Sequence, residues 1–189
     1  HTHHAKDYNL DAEIKIIKRA KENKNVVAIG EIGLDYHYDN SPREIQREVF
    51  EKQLQIACNL NLPVVIHTRE AEEDTKAILS NFSSKLLKKG VLHSFTSKKE
   101  LAEYALSENF SLGFNGIITF KNATAVREVV ELTPISNILI ETDAPFLTPA
   151  PHRGKENSPH YLPYILEKVA EIKGMEVEKL AEEILTEIR

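Results

Sequence analysis

The sequence predicts an α/β protein built on parallel strands of the barrel type, and three observations predict it. Short apolar, β-branched runs alternate with longer segments of helical period, the pattern of successive βα units. Four of the five runs end at, or just before, a side chain able to bind metal: Glu31, His67, His93 and Asp143. In barrels of parallel strands functional groups project from the C-terminal strand ends, so residues distant in sequence converge over one mouth. The spacings from Glu31 to His67 and from His67 to His93 each fit one βα unit, and that from His93 to Asp143 fits two.

The predicted strands, in order, are VVAIG (26–30), PVVIH (63–67), GVLH (90–93), FSLGF (110–114) and NILIE (137–141). A helix over 10–23 precedes the first. Others fall at 42–60, 71–88, 97–108 and 122–132, and two more, over 159–173 and 176–188, close the chain. The 42–60 helix has a recognisable start, with Ser41 as the capping residue, Pro42 in the first turn and Glu44 two residues further on. Phe50, Leu54, Ala57 and Cys58 share one of its faces. Residues 144–159, APFLTPAPHRGKENSP, are rich in proline and must be irregular, and a long loop in a compact domain is often functional.

Composition narrows the function classes. The 189 residues, 41% hydrophobic and 28% charged, are ordinary for a globular protein, and a single domain over 1–189 is expected. No run reaches the roughly 18 apolar residues of a membrane span. The opening HTHHAKDYNL lacks the apolar centre of a secretory signal, so a cytoplasmic location is expected. The lone Cys58 can form no internal disulfide and is read as core filling. A formal net charge of -5 argues against a large basic groove for long nucleic acid, but leaves room for an enzyme gripping a few phosphates with metal and a few arginines. No oligomerisation signal or obligate protein partner is visible, and a monomer is expected.

Two imidazoles and two carboxylates suit Zn²⁺, Mn²⁺ or a similar divalent ion, whereas a calcium cage would use oxygen alone and structural zinc would need cysteines. Alternation along a strand places Glu141 on the face of Asp143, where it can hold a ligating histidine from behind or simply form an ion pair. By the same alternation Arg69 follows His67, to grip an anionic substrate bidentately or to balance the acidic cluster.

At GEIGLDY, LPVVIHTRE, GVLHSF, NGIITFKN and ILIETDAPFLTPAPHRGKENSP the chain resembles the TatD family of metal-dependent deoxyribonucleases, within the amidohydrolase-like barrel superfamily. The resemblance covers nearly the whole chain and implies a TIM-type (β/α)8 barrel to which this chain supplies strands 4–8. The three N-terminal strands, with a pair of ligating histidines, are then expected upstream of His1, which makes the domain N-terminally incomplete; the helical pattern running into Arg189 suggests that it also stops short of its natural end. Without those strands two hydrophobic sheet edges would need cover.

The resemblance also implies two divalent metal ions, Mg²⁺, Mn²⁺ or Zn²⁺. Glu31 would contact or bridge both, His67 and His93 would be further ligands, and Asp143 would bind metal and orient the attacking water. Glu31 and Asp143 are therefore the expected catalytic residues. His3, in HTHHAKD, matches a histidine lining the family's site, with Thr2 in place of a proline; His1-Thr2-His3 imitates the missing ligand pair only in spacing. Arg69, Lys121 and Arg153 are the cations expected to hold phosphate, while Asp35 is expected to brace its loop.

The implied function is hydrolysis of DNA phosphodiester bonds by a metal-activated water, as a 3′-exonuclease. One alternative is a small amide, lactone or phosphoester as substrate. Many superfamily members of that kind bridge their metals with a carbamylated lysine where Glu31 stands here. A metal-binding homologue without catalysis is the other.

Overall fold

Residues 1–187 are described by a computed structural model and fall into two compact units, the first His1–Leu92 and the second from His93 onward. The first opens with a 3₁₀ turn, Thr2–Asp7, and then alternates α1 (Leu10–Glu22), β1 (Ile29–Asp35), α2 (Arg43–Leu60), β2 (Val64–Arg69), α3 (Glu72–Phe82) and β3 (Gly90–Leu92). All three strands run parallel, with Ile32 opposite Ile66, Gly33 opposite His67, Asp35 opposite Arg69 and Ile66 opposite Leu92. Ile32, Leu34, Val64, Ile66 and Leu92 are buried, as are Phe50, Leu54 and Ala57 on the apolar stripe of α2.

β1 departs from the predicted 26–30. Residues 26–28 lie outside it, with Val27 75% exposed, and the strand runs on through two glycines to Asp35. Glycine reads as a strand end, but Gly33 belongs inside this one. Its φ is +131°, and a Cβ there would lie 2.0 Å from the His67 carbonyl oxygen, so only glycine allows the two strands to meet. A bulge between Ile29 and Ile32 resets the register. Glu31, Gly33 and Asp35, two apart, therefore share a face, so Glu31 stands within the strand rather than beyond it.

Two helix expectations also change. Ser41 does not cap α2: the helix starts after Pro42, which has no side-chain cap and an extended ψ of 136°. Ser41 is fully buried and instead accepts from the Lys6 amide (3.1 Å) and donates to the His3 carbonyl (3.3 Å), tying the 3₁₀ turn down. The predicted 71–88 helix ends at Phe82, whose carbonyl receives the amides of Lys85 and Leu86. Leu86 is buried from this turn, so it satisfies an apolar helical period without helical backbone. Cys58 is half-buried rather than in the core, and burial pushes its thiol pKa up.

The second unit contains α4 (Lys99–Ser107), β4 (Ser111–Phe114), a 3₁₀ turn Gly116–Thr119, α5 (Thr124–Leu132), β5 (Ile138–Ile140), α6 (Leu162–Lys173) and α7 (Val177–Glu187). β4 and β5 pair in parallel, with Leu112 opposite Ile138 and Phe114 opposite Ile140. Leu112, Phe114, Val129, Val130, Ile138, Ile165, Val169 and Leu180 are buried. Residue 188 of the predicted final helix lies outside the described residues. Among those described, no helix is long and apolar enough to cross a membrane.

Candidate metal centre

In the first unit β1 and β2 each send every second side chain to one face, and the parallel register aligns them. His67 receives two carboxylates: Glu31 Oε1 is 3.0 Å from its Nδ1 and Asp35 Oδ2 is 2.9 Å from its Nε2. His1 Nε2 lies 3.3 Å from the same Glu31 oxygen, and His3 Nε2 lies 3.0 Å from the same Asp35 oxygen. Nitrogens of His1, His3 and His67 all fall within 4.8 Å of one another, close enough to hold one ion.

Arg69, two residues after His67, continues β2 as the alternation predicted. Its guanidinium carbon stands 4.9 Å from the ring centroid of Tyr38, an exposed residue. The Tyr38 ring meets His3 edge-on at 5.5 Å.

Asp35 is the residue whose importance the sequence understated. It braces its loop, because its Oδ1 accepts the amides of His37 (3.0 Å) and Tyr38 (2.9 Å), but its other oxygen faces the two histidines. Its side chain is only 1% exposed. That burial works against its charge, yet the hydrogen bonds from the Tyr38 amide, His3 and His67 outweigh it and hold the carboxyl below its ordinary pKa.

Gln46, buried on α2, fixes the same stretch of backbone. Its Oε1 accepts from the Asp35 amide (2.8 Å) and the Thr2 hydroxyl (2.7 Å), while its Nε2 donates to the carbonyls of Asp35 (3.1 Å) and Ser41 (2.8 Å). Its sequence signal is a polar residue on the mainly apolar buried face of α2, a signal that Gln53 gives as well.

In the second unit His93 follows β3 directly, and its Nδ1 is 3.5 Å from Glu141 Oε2. The other oxygen of Glu141 accepts the Ser94 amide. Gly113 makes room for this carboxylate, since a Cβ there would lie 2.6 Å from Glu141 Oε1. Ser94 Oγ in turn accepts from Asn115 Nδ2 at 2.7 Å.

Asp143 lies beyond β5 in an exposed turn with a left-handed φ of 58°. Buried Asn157 pins that turn, donating from Nδ2 to the carbonyls of Thr142 (2.8 Å) and Phe146 (2.5 Å). The proline-rich loop is thus irregular, as predicted, but held. Arg153 stands over the Phe120 ring, with its guanidinium carbon 3.8 Å from the centroid, and Lys121, next to Phe120 in sequence, is exposed.

The donors fit a divalent cation. A neutral imidazole carries one N–H, yet His67 has a carboxylate oxygen against each nitrogen. One of these contacts therefore calls for a second proton or for a cation, and mixed imidazole and carboxylate ligation suits Zn²⁺ or Mn²⁺.

Comparison with known proteins adds an independent line. The family model described as TatD related DNase matches residues 1–189. An uncharacterized metal-dependent hydrolase, YabD of Bacillus subtilis, is 46% identical over 171 residues, covering 90% of this chain and 67% of that protein. A 3′-5′ ssDNA/RNA exonuclease named TatD, from Pantoea ananatis, is 38% identical over 189 residues, covering 97% of this chain and 72% of that protein. The chain thus spans about two thirds of the length of these curated relatives. A crystal structure of YJJV, a TatD homologue from Escherichia coli, superposes with a TM-score of 0.91 at 26% identity, covering 99% of this chain and 72% of that one. With a match along its whole length and a fold shared with a TatD homologue, the chain belongs to the TatD related DNase family of metal-dependent hydrolases.

Proposed function

We propose that this chain is part of an enzyme that hydrolyses phosphodiester bonds of single-stranded DNA from the 3′ end with two divalent cations. Residues 1–189 then form one barrel domain and supply strands 4–8 of a TIM-type (β/α)8 barrel. The observation that carries the reading is His67 caught between two carboxylates on a strand face that also bears Arg69. The exonuclease name of the Pantoea ananatis relative supports the choice of substrate.

In this reading Glu31, His67, His93 and Asp143 hold the cations, which when bound supply Lewis acidity and bring the pKa of water from about 15.7 towards about 7. The chain's own groups do the rest. Arg69 offers its planar fork to a phosphate oxygen pair, and its stacking on Tyr38 limits the rotamers it must give up. His3, held through Nε2 by Asp35, contacts the substrate. Asp143 orients the attacking water and takes its proton as the water oxygen bonds to phosphorus. The bond from phosphorus to the 3′-oxygen breaks, and that oxygen leaves with a proton from solvent. Glu141 steadies His93, and Lys121 and Arg153 hold phosphates further along the strand.

The test is to give the full-length protein a 5′-labelled single-stranded oligonucleotide beside a panel of amides, lactones and phosphoesters, with Mg²⁺, Mn²⁺ or Zn²⁺. The expected result is stepwise shortening from the 3′ end, reduced about 100-fold or more in Glu31→Gln. DNA left intact with every metal while a small ester is turned over in a Glu31-dependent way would overturn the proposal.

A further inference from the structure

We propose that Asp35 is a positioning residue that keeps the Nε2 proton on both His67 and His3, so that His67 meets a metal ion through Nδ1. This rests on the reading of Glu31 and His67 as metal ligands and adds which atom binds and what fixes it.

Donors and acceptors around one buried carboxylate decide the tautomers. Asp35 Oδ1 already accepts two backbone amides, from His37 and Tyr38, so that oxygen has no acceptor to which it could donate a proton. Oδ2 faces two imidazole nitrogens, His3 Nε2 at 3.0 Å and His67 Nε2 at 2.9 Å. The Oδ2 lone pairs are satisfied only if both nitrogens carry hydrogen. Each ring then keeps its proton on Nε2, and the lone pair of a neutral ring lies on Nδ1. In His67 that lone pair points towards Glu31 Oε1, 3.0 Å away. Two electron-rich atoms facing one another at that distance are what a shared cation would bring together.

Asp35 can impose this because it cannot move. It is buried, its backbone N–H and C=O are both hydrogen-bonded by Gln46, and Gly33, two residues before it, lets β1 close against the His67 backbone. A carboxylate behind a ligating histidine fixes ring orientation and raises ligand basicity, and removing it typically lowers metal affinity about 10–100-fold. Asp35 differs from the usual arrangement in serving two histidines with one oxygen, so the substrate-side His3 and the ligand His67 share one anchor.

The experiment uses the full-length protein labelled with ¹⁵N and reads the imidazole nitrogens by long-range ¹H–¹⁵N correlation at about pH 8, where exposed histidines are neutral. Expected is an Nε2–H pattern for His67, with Nδ1 shifting and the Nε2 proton retained as Zn²⁺ is added. In Asp35→Asn the side-chain carbonyl keeps the two backbone amides and the NH₂ group turns to the histidines, so His67 changes to the Nδ1–H form. Zn²⁺ affinity should fall about 10–100-fold while circular dichroism stays that of the wild type. A wild-type His67 with its proton on Nδ1, or an Asp35→Asn protein with unchanged tautomer and Zn²⁺ affinity, overturns the role of Asp35. Zn²⁺ bound with His67 Nδ1 unshifted overturns the ligation. No Zn²⁺ binding by the wild type overturns both the ligation and the underlying metal-centre reading.

Discussion

Tyr36, Arg47 and Asp74 show how single polar residues tie this chain together away from the metal centre. The Tyr36 hydroxyl donates to Asp74 Oδ2 at 2.5 Å, Arg47 reaches the same oxygen at 3.1 Å, and Arg43 stacks on the Tyr36 ring at 4.4 Å. The Tyr36 hydrogen bond outweighs burial and, with Arg47, holds the Asp74 carboxyl below its ordinary pKa. A carboxyl with a depressed folded-state pKa binds fewer protons folded than unfolded as pH falls through that range. Its stabilisation is therefore complete above the unfolded value and is lost as pH drops through the folded one. Urea midpoints measured from about pH 6 down to about pH 3 should fall more steeply in the wild type than in Asp74→Asn. Parallel curves would mean that the trio contributes nothing. The effect should be modest, since the pair is part-exposed.

At the scale of elements, helix ends and strand ends carry most of the polar structure. α5 leaves its last carbonyls unpaired within the helix, and Lys173, at the end of α6, supplies the missing donor: its Nζ lies 2.7 Å from the Glu131 carbonyl oxygen and 2.6 Å from that of Thr133. A cation at the negative end of a helix is favourable, although burial lowers the Lys173 pKa. Lys173→Met keeps the stem and removes the charge. It should cost about 1–2 kcal/mol by urea unfolding, and a change within about 0.3 kcal/mol would show that water replaces the ammonium at no loss. α2 does the corresponding work for β1 through Gln46, which holds the end of the strand where Asp35 turns its carboxylate towards two histidines.

For the whole molecule, net charge and local charge say different things about nucleic acid. A protein of net charge -5 gains little from a long phosphate backbone, so under the proposed function binding would rest on the metal centre and on Arg69, Lys121 and Arg153. Three phosphate contacts on single-stranded DNA correspond to a salt dependence of log K on log[salt] of about -2. A slope steeper than about -5, measured by fluorescence anisotropy without turnover, would point to a basic surface that the charge pattern does not suggest. Local periodicity and β-branched runs suffice for the alternation of strands and helices and for His67, His93 and Asp143 at or just past the ends of strands, but they misplace Glu31, which stands inside β1. The sequence also supplied Arg69 by simple alternation and Glu141 as the carboxylate beside a histidine. Tertiary contact sets the course of β1 through Gly30 and Gly33, because the Val65 side chain and the His67 carbonyl on the neighbouring strand leave no room for a Cβ at either. Ser41 holding His3 rather than a helix, and Asp35 as the anchor of two histidines, were likewise decided by tertiary contact. Hydrogen-bond partners 32 and 38 residues apart leave no periodic trace in a sequence.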